Sequence, residues 1–157
     1  AETGNPPTLS MPMKIYTIGF TTKKAGEFFE PLKVTEARFL LDIRVHNNSQ
    51  LAGFTKKGNI EYFTEQLTHL EYRELPLLAP AEELFKEYRR GMEWSEYEAR
   101  YLTLLDERKA SIEIDREMFG AGVVLLCSEP TPENCHRRLA AEYLKTNSLP
   151  GAEIVHI

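Results

Sequence analysis

The densest chemistry in the chain lies between Cys127 and Arg138, in the run Cys-Ser-Glu-Pro-Thr-Pro-Glu-Asn-Cys-His-Arg-Arg. Thr131 reads as a helix cap, with Pro132 at the first helical position. This sets Cys135, His136 and Arg137 in or near the first helical turn, where free backbone N–H groups and the helix dipole favour anions. The same field, with an adjacent arginine, lowers a thiol's pKa and makes Cys135 a candidate nucleophile. His136 is a candidate proton donor or acceptor near neutral pH. Glu129 is available as a carboxylate base or an arginine partner, and Ser128 stands beside it at the strand end. Each residue also has a plainer reading. Cys127 reads as a small core residue, Cys135 equally as an inert helix cysteine, and Arg138 as a surface partner for a glutamate. A Cys127–Cys135 disulfide is within reach but not expected in a reducing compartment. The set lacks the paired CxxC spacing of structural zinc sites, so no metal and no cofactor are expected.

A second cluster lies earlier. Asp42 and Arg44 are two apart on a strand-like run and therefore share a face. They read either as a structural ion pair or as one wall of a ligand site. Thr17 and Gly19 close the first strand-like run. There is no GxGxxG, no GxxxxGK[ST] and no GxSxG, so a dinucleotide fingerprint, a P-loop and a hydrolase elbow are absent.

These residues need a scaffold, and the chain alternates strand-like with helix-like segments. Strands are expected over Lys14–Phe20, Arg38–Arg44, Glu71–Pro76 (the weakest), Gly122–Cys127 and Glu153–Ile157. Phe28, Phe29 and Leu32 fall at helical spacing, with Pro31 expected to kink or end that helix. Ile60, Phe63, Leu67 and Leu70 mark an amphipathic helix with Asn59 as cap. Ala81–Arg108 reads as helix in two pieces broken at Gly91, and Cys135–Lys145 as another. His46–Phe54 reads as a polar loop. Five strands interleaved with helices predict a Rossmann-like three-layer α/β/α sandwich with a mostly parallel sheet.

In such sheets ligands bind beyond the carboxyl ends of the strands. The loops there carry Lys23, Lys24, Arg44, His46, Lys56, Lys57, Arg137 and Arg138. The chain as a whole is acidic, with a net charge of −5. Positive charge gathered on one edge of an acidic protein suggests an anionic ligand, phosphate first, although the lysines also read as simply solvated.

The 157 residues suit one domain. Residues 1–12 are expected to be a disordered tail or an expression scar, with a single α/β domain over 13–157. No apolar run approaches the ~20 residues of a membrane helix. Two cysteines exclude a disulfide scaffold. With no signal peptide in view, the cytoplasm is the expected compartment. The negative charge argues against nonspecific nucleic-acid coating, so nucleic acid is a less favoured partner than a small anion.

The segments YTIGFTTKKAGEFFE, LLDIRVHNNSQLAGFTKKGNIEYF and VVLLCSEPTPENCHRRLAAEYL resemble the bacterial and archaeal domain-of-unknown-function family 488 from about Lys14 to Ile157. The resemblance rests on Cys135-His136-Arg137, on Asp42 with Arg44, and on Thr17-Ile18-Gly19. Many relatives carry a proline and a serine-arginine after the aspartate-x-arginine pair, where this chain has Val45-His46-Asn47-Asn48-Ser49-Gln50. The resemblance implies a Rossmann-like fold and leaves the reaction open. The leading expectation is an enzyme acting on a phosphorylated or nucleotide-like small molecule. Arg137 and the helix terminus would hold the anion, Cys135 would act with His136, and Asp42, Arg44 and Glu129 would line the opposite wall. The Trp94/Tyr97/Tyr101 stripe, at helical spacing, reads first as core or an interface; the alternatives to the enzyme are a non-catalytic nucleotide or nucleic-acid-end binder, and an interaction module in which that stripe is exposed.

Overall fold

The computed structural model describes residues 13–46 and 53–157. The expected tail at 1–12 and most of the polar loop, residues 47–52, lie outside the described residues. The element order is β1 (Lys14–Gly19), α1 (Ala25–Lys33), β2 (Phe39–Asp42), α2 (Asn59–Leu67), β3 (Glu71–Glu74), α3 (Glu82–Arg89), α4 (Trp94–Glu107), α5 (Ala110–Glu113), α6 (Arg116–Gly120), β4 (Val123–Cys127), α7 (His136–Asn147) and β5 (Glu153–His156). Short 3-10 turns at Gly53–Thr55 and Pro76–Leu78 complete it. The five strands form one sheet in the order β3-β2-β4-β1-β5, with every pairing parallel.

Side-chain alternation along the strands explains the three layers. In β4, Val123 and Leu125 join a core with Ile15, Leu41, Tyr101, Leu139 and Leu144. Val124 and Leu126 point the other way and join Tyr16, Ile18, Phe28, Leu32 and Leu40. All five residues of β4 are buried, as expected for a strand covered on both faces. Each such leucine or valine, fully removed from water, contributes roughly 1.5–3 kcal/mol. β3 differs because it is an edge: Tyr72 is buried while Arg73 and Glu74 are exposed.

Pro31 does not break α1. It lies in the last turn, and the helix ends two residues later at Lys33. Asn59 is the first residue of α2 rather than its cap; Gly58 takes that position at φ 90°. Gly91, at φ 121°, separates α3 from α4. Tyr97, Tyr101 and Leu105, each four apart, are the buried face of α4. The aromatic stripe is therefore not an exposed docking face. Tyr97 and Tyr101 are 2% and 0% exposed, and half-buried Trp94 stacks on Tyr97 at 5.4 Å. Burial of two tyrosines removes the premise of an interaction module built on that stripe.

Two elements were not expected. α5 and α6 fill 110–120 and place Ile114 and Phe119 in the core. Asp115 caps α6 by accepting from the Met118 N–H at 3.0 Å. No helix among the described residues is long and apolar enough to cross a membrane.

Candidate functional site

The carboxyl ends of β1, β2 and β4 meet the start of α7 at a cleft of about 620 Å³. Its floor is the buried Cys127, Cys135 and His136, with Ser128 and the exposed Glu129 toward the mouth. Phe85, Tyr88 and Arg89 from α3 line it, with the His46 ring 6.3 Å from that of Phe85, and Phe20, Thr21 and Arg44 complete the lining. Tyr97 backs the α3 wall. Aromatic rings, two arginines and one carboxylate therefore surround two thiols and an imidazole.

Helix α7 opens differently from the expectation. Cys135, not Thr131, is the cap, and its Sγ accepts from the Arg137 N–H at 3.4 Å. The segment after Cys127 runs as bends and turns up to Cys135, so Pro132 lies before the helix and not in its first turn. Capping by sulfur brings the Cys135 thiol back toward the strand end. The Cys127 and Cys135 Sγ atoms stand 2.8 Å apart, close enough for one proton to lie between them.

His136 is fixed on three sides. Its Nε2 donates to the Ile43 carbonyl at 2.7 Å, since that oxygen can only accept. Its Nδ1 therefore faces Cys127 Sγ, at 3.7 Å. The Tyr101 ring meets it edge-on at 5.7 Å. In the neutral tautomer Nδ1 can take the Cys127 proton, which leaves a thiolate beside an imidazolium.

The electrostatics agree with that direction. Burial by itself raises the Cys127 thiol, but the Cys135 hydrogen bond and then the His136 charge reverse this and hold it well below a free thiol. Cys135 moves the opposite way: burial, then its hydrogen bond to Cys127 and that neighbour's negative charge, push it up. Burial opposes the charged form of His136, yet the Cys127 thiolate and the Ile43 carbonyl raise its pKa. The expectation of a depressed Cys135 is thus corrected. The imidazole and the shared proton favour Cys127, the residue read as a plain core cysteine. At the mouth, partial burial and then Cys127 raise the Glu129 carboxyl, against the pull of Arg89.

Asp42 and Arg44 form a buried two-bond ion pair. Arg44 Nε donates to Asp42 Oδ1 at 2.8 Å and Nη2 to Oδ2 at 2.7 Å. The Tyr72 hydroxyl donates to the same carboxylate, and Arg44 Nη2 also reaches the Thr55 carbonyl at 2.7 Å. Asp42 is thereby spent behind the wall, whereas Arg44 lines the cleft. The Arg44 Nη1 is buried and finds no acceptor among the described residues. Its guanidinium lies over the Phe20 ring at 5.4 Å.

Arg137, Thr17 and Gly19 do not line the cleft. Arg137 follows His136 by one residue and so turns about 100° away around the helix. Its Nη1 donates to the Glu129 carbonyl at 3.4 Å, and the side chain is 1% exposed. A Cβ on Gly19 would lie 1.7 Å from that carbonyl and 2.6 Å from Arg137 Nη1. Thr17 instead pairs with His156 Nδ1 at 2.5 Å. Of the expected basic residues, Lys23 donates to the Gly19 carbonyl and Arg138 pairs with Glu142. Sequence reasoning missed Phe85, Tyr88 and Arg89, because nothing in the α3 spacing shows that its face closes over the cysteines.

Cys127, Cys135 and His136 are also the group of three metal-ligating donors within 4.8 Å of one another among the described residues. In this arrangement the two sulfurs are closer together than a shared zinc ion would hold them. Two Zn–S bonds of ~2.3 Å at a tetrahedral angle hold sulfurs about 3.8 Å apart, and here they are 2.8 Å apart.

A family model described as "Domain of unknown function DUF488" matches residues 24–144, most of the chain. No curated protein and no solved structure matches the chain.

Proposed function

The chain belongs to the DUF488 family, and from that premise we propose that it is a thiol-dependent enzyme acting on an anionic small molecule of phosphorylated or nucleotide-like kind. The observation that carries this is a Cys127 thiol paired to a fixed imidazole at the floor of an aromatic- and arginine-walled cleft. Cys127 is the nucleophile. His136 takes its proton and returns it to the leaving group. Cys135 donates its S–H to Cys127 and tempers the thiolate. The exposed Arg89 supplies the cationic contact for the substrate's anionic group, with the Arg44 guanidinium in the wall of the cleft. Phe85 and Tyr88 offer ring faces for a base or another planar group. A reducing, cytoplasmic setting suits a site that needs free thiols.

Arg137 has a different part from the one expected. It joins the Glu129 carbonyl to Gly19 and so holds the cleft floor, without touching the ligand. A non-catalytic binder would use the same arginines but has no need of a histidine-paired thiolate. The test is turnover of a panel of nucleotides and phosphorylated metabolites, followed by mass spectrometry, for the wild type, Cys127→Ser and Arg89→Ala. Turnover lost in Cys127→Ser, with substrate binding kept, supports the reading. Arg89→Ala should raise KM more than it lowers kcat. Turnover equal in the wild type and Cys127→Ser overturns it.

A further inference from the structure

The cysteine pair has a geometry of its own, independent of any anionic substrate. The sulfurs lie 2.8 Å apart, both thiols are free, and both line the cleft. The chain has two cysteines, so neither thiol has another partner within the molecule. The connection from Cys127 to Cys135 contains no helix or strand, so closing a bond between them does not require a regular element to break. Each cysteine is 2% exposed at the cleft floor. A protein disulfide cannot reach sulfurs at that depth, while a small peroxide can enter the 620 Å³ cleft. We propose that Cys127 and Cys135 form a peroxide-reactive dithiol, in which Cys127 is oxidised first and Cys135 resolves it to an intramolecular disulfide.

The first step forms an S–O bond and breaks the O–O bond. The Cys127 thiolate attacks one peroxide oxygen and becomes a sulfenic acid, and the departing hydroxide or alkoxide takes a proton from His136 Nδ1. In the second step the Cys135 sulfur attacks Cys127 Sγ. The S–O bond breaks, and hydroxide leaves as water with the Cys135 proton. The sum is two thiols plus one hydroperoxide giving one disulfide, one alcohol or water, and one water. The thiols lose two electrons and the peroxide gains them. The sulfur geometry assigns the order: the imidazole serves Cys127, while Cys135 is already in contact as the resolving thiol. Attack by Cys135 is favoured by proximity, since its sulfur starts 2.8 Å from its target. The inference shares the Cys127 thiolate with the proposed enzyme but not its substrate.

The experiment is titration of the full chain with hydrogen peroxide, read by intact mass, thiol count and dimedone trapping. The wild type should lose two hydrogens in mass and both free thiols, and dithiothreitol should restore them. Cys135→Ser should instead gain one oxygen at Cys127, captured by dimedone. Cys127→Ser should remain unoxidised at that dose. Two or three oxygens added to a wild-type cysteine without disulfide, or two thiols still alkylated after peroxide, would overturn the proposal. A wild type that forms the disulfide but turns over no anionic substrate keeps this inference and removes only the proposed enzyme; turnover without disulfide does the reverse.

Discussion

Replacing Gly19 by alanine isolates one close approach on which the cleft depends. The new Cβ would lie 1.7 Å from the Glu129 carbonyl oxygen, 2.8 Å from its carbon and 2.6 Å from Arg137 Nη1. An ordinary Cβ contact begins near 3.4 Å, so the carbonyl must retreat by roughly 1.7 Å (3.4 minus 1.7). Backbone cannot do this cheaply here. The preceding Ser128 carbonyl accepts from the Thr21 N–H at 3.1 Å and from the Thr21 hydroxyl, and Gly19 is in register with Cys127. Overpacking of this kind costs about 3 kcal/mol, the upper end of the usual range. For a chain of this length that lowers Tm by roughly 6–12 °C. Gly26→Ala is the matched control. Its Cβ meets nothing within 4 Å and it sits in α1, so the same change should stabilise by up to about 1 kcal/mol. Urea denaturation of both variants against the wild type, at unchanged m, measures the pair. A Gly19→Ala midpoint within about 1 kcal/mol of wild type would refute the close-approach reasoning.

Asp42→Ala strands the buried Arg44 charge and should destabilise by about 3–5 kcal/mol; the double change Asp42→Leu with Arg44→Met should cost less than Asp42→Ala alone, as urea midpoints will show. Tyr101→Phe removes a buried 2.7 Å hydrogen bond to the Leu78 carbonyl, and should lower stability by about 1–2 kcal/mol in the same assay. His136→Gln removes the cation that, after the Cys135 hydrogen bond, holds Cys127 down, so the pH midpoint of Cys127 alkylation should rise; an unmoved midpoint contradicts the pairing.

The strands were legible where burial on both faces forces a continuous apolar run, as in Val123–Cys127 and in Leu40, Leu41 and Ile43. The break at Gly91 and the buried stripe of α4 were legible from spacing. The four- and five-residue helices α5 and α6 were not, because so short a span shows no helical period; the Asp115 cap was their one readable signal. At the candidate site, the topology rule selected the edge of the sheet where the cleft lies. What each side chain does there depended on where α7 begins. A cap at Cys135 rather than at Thr131 sends His136 to Cys127 and Arg137 toward Gly19, a division set by the helical rotation between adjacent residues. The closeness of Cys127 and Cys135 was equally hidden, since it arises from the folded path of the 128–134 turn.

Activation of Cys127 separates the proposed thiol chemistry from a plain buried pair. Alkylation of the native protein with iodoacetamide from pH 5 to 9, read peptide by peptide, measures it directly. A free thiol titrates near about 8.5. Cys127 should react with a midpoint well below that value, because its folded-state pKa is depressed and the thiolate persists as pH falls toward it. Cys135, pushed the other way, should stay unreactive across the range. Reaction of Cys135 at low pH with Cys127 silent, or both titrating as free thiols, would contradict the claim.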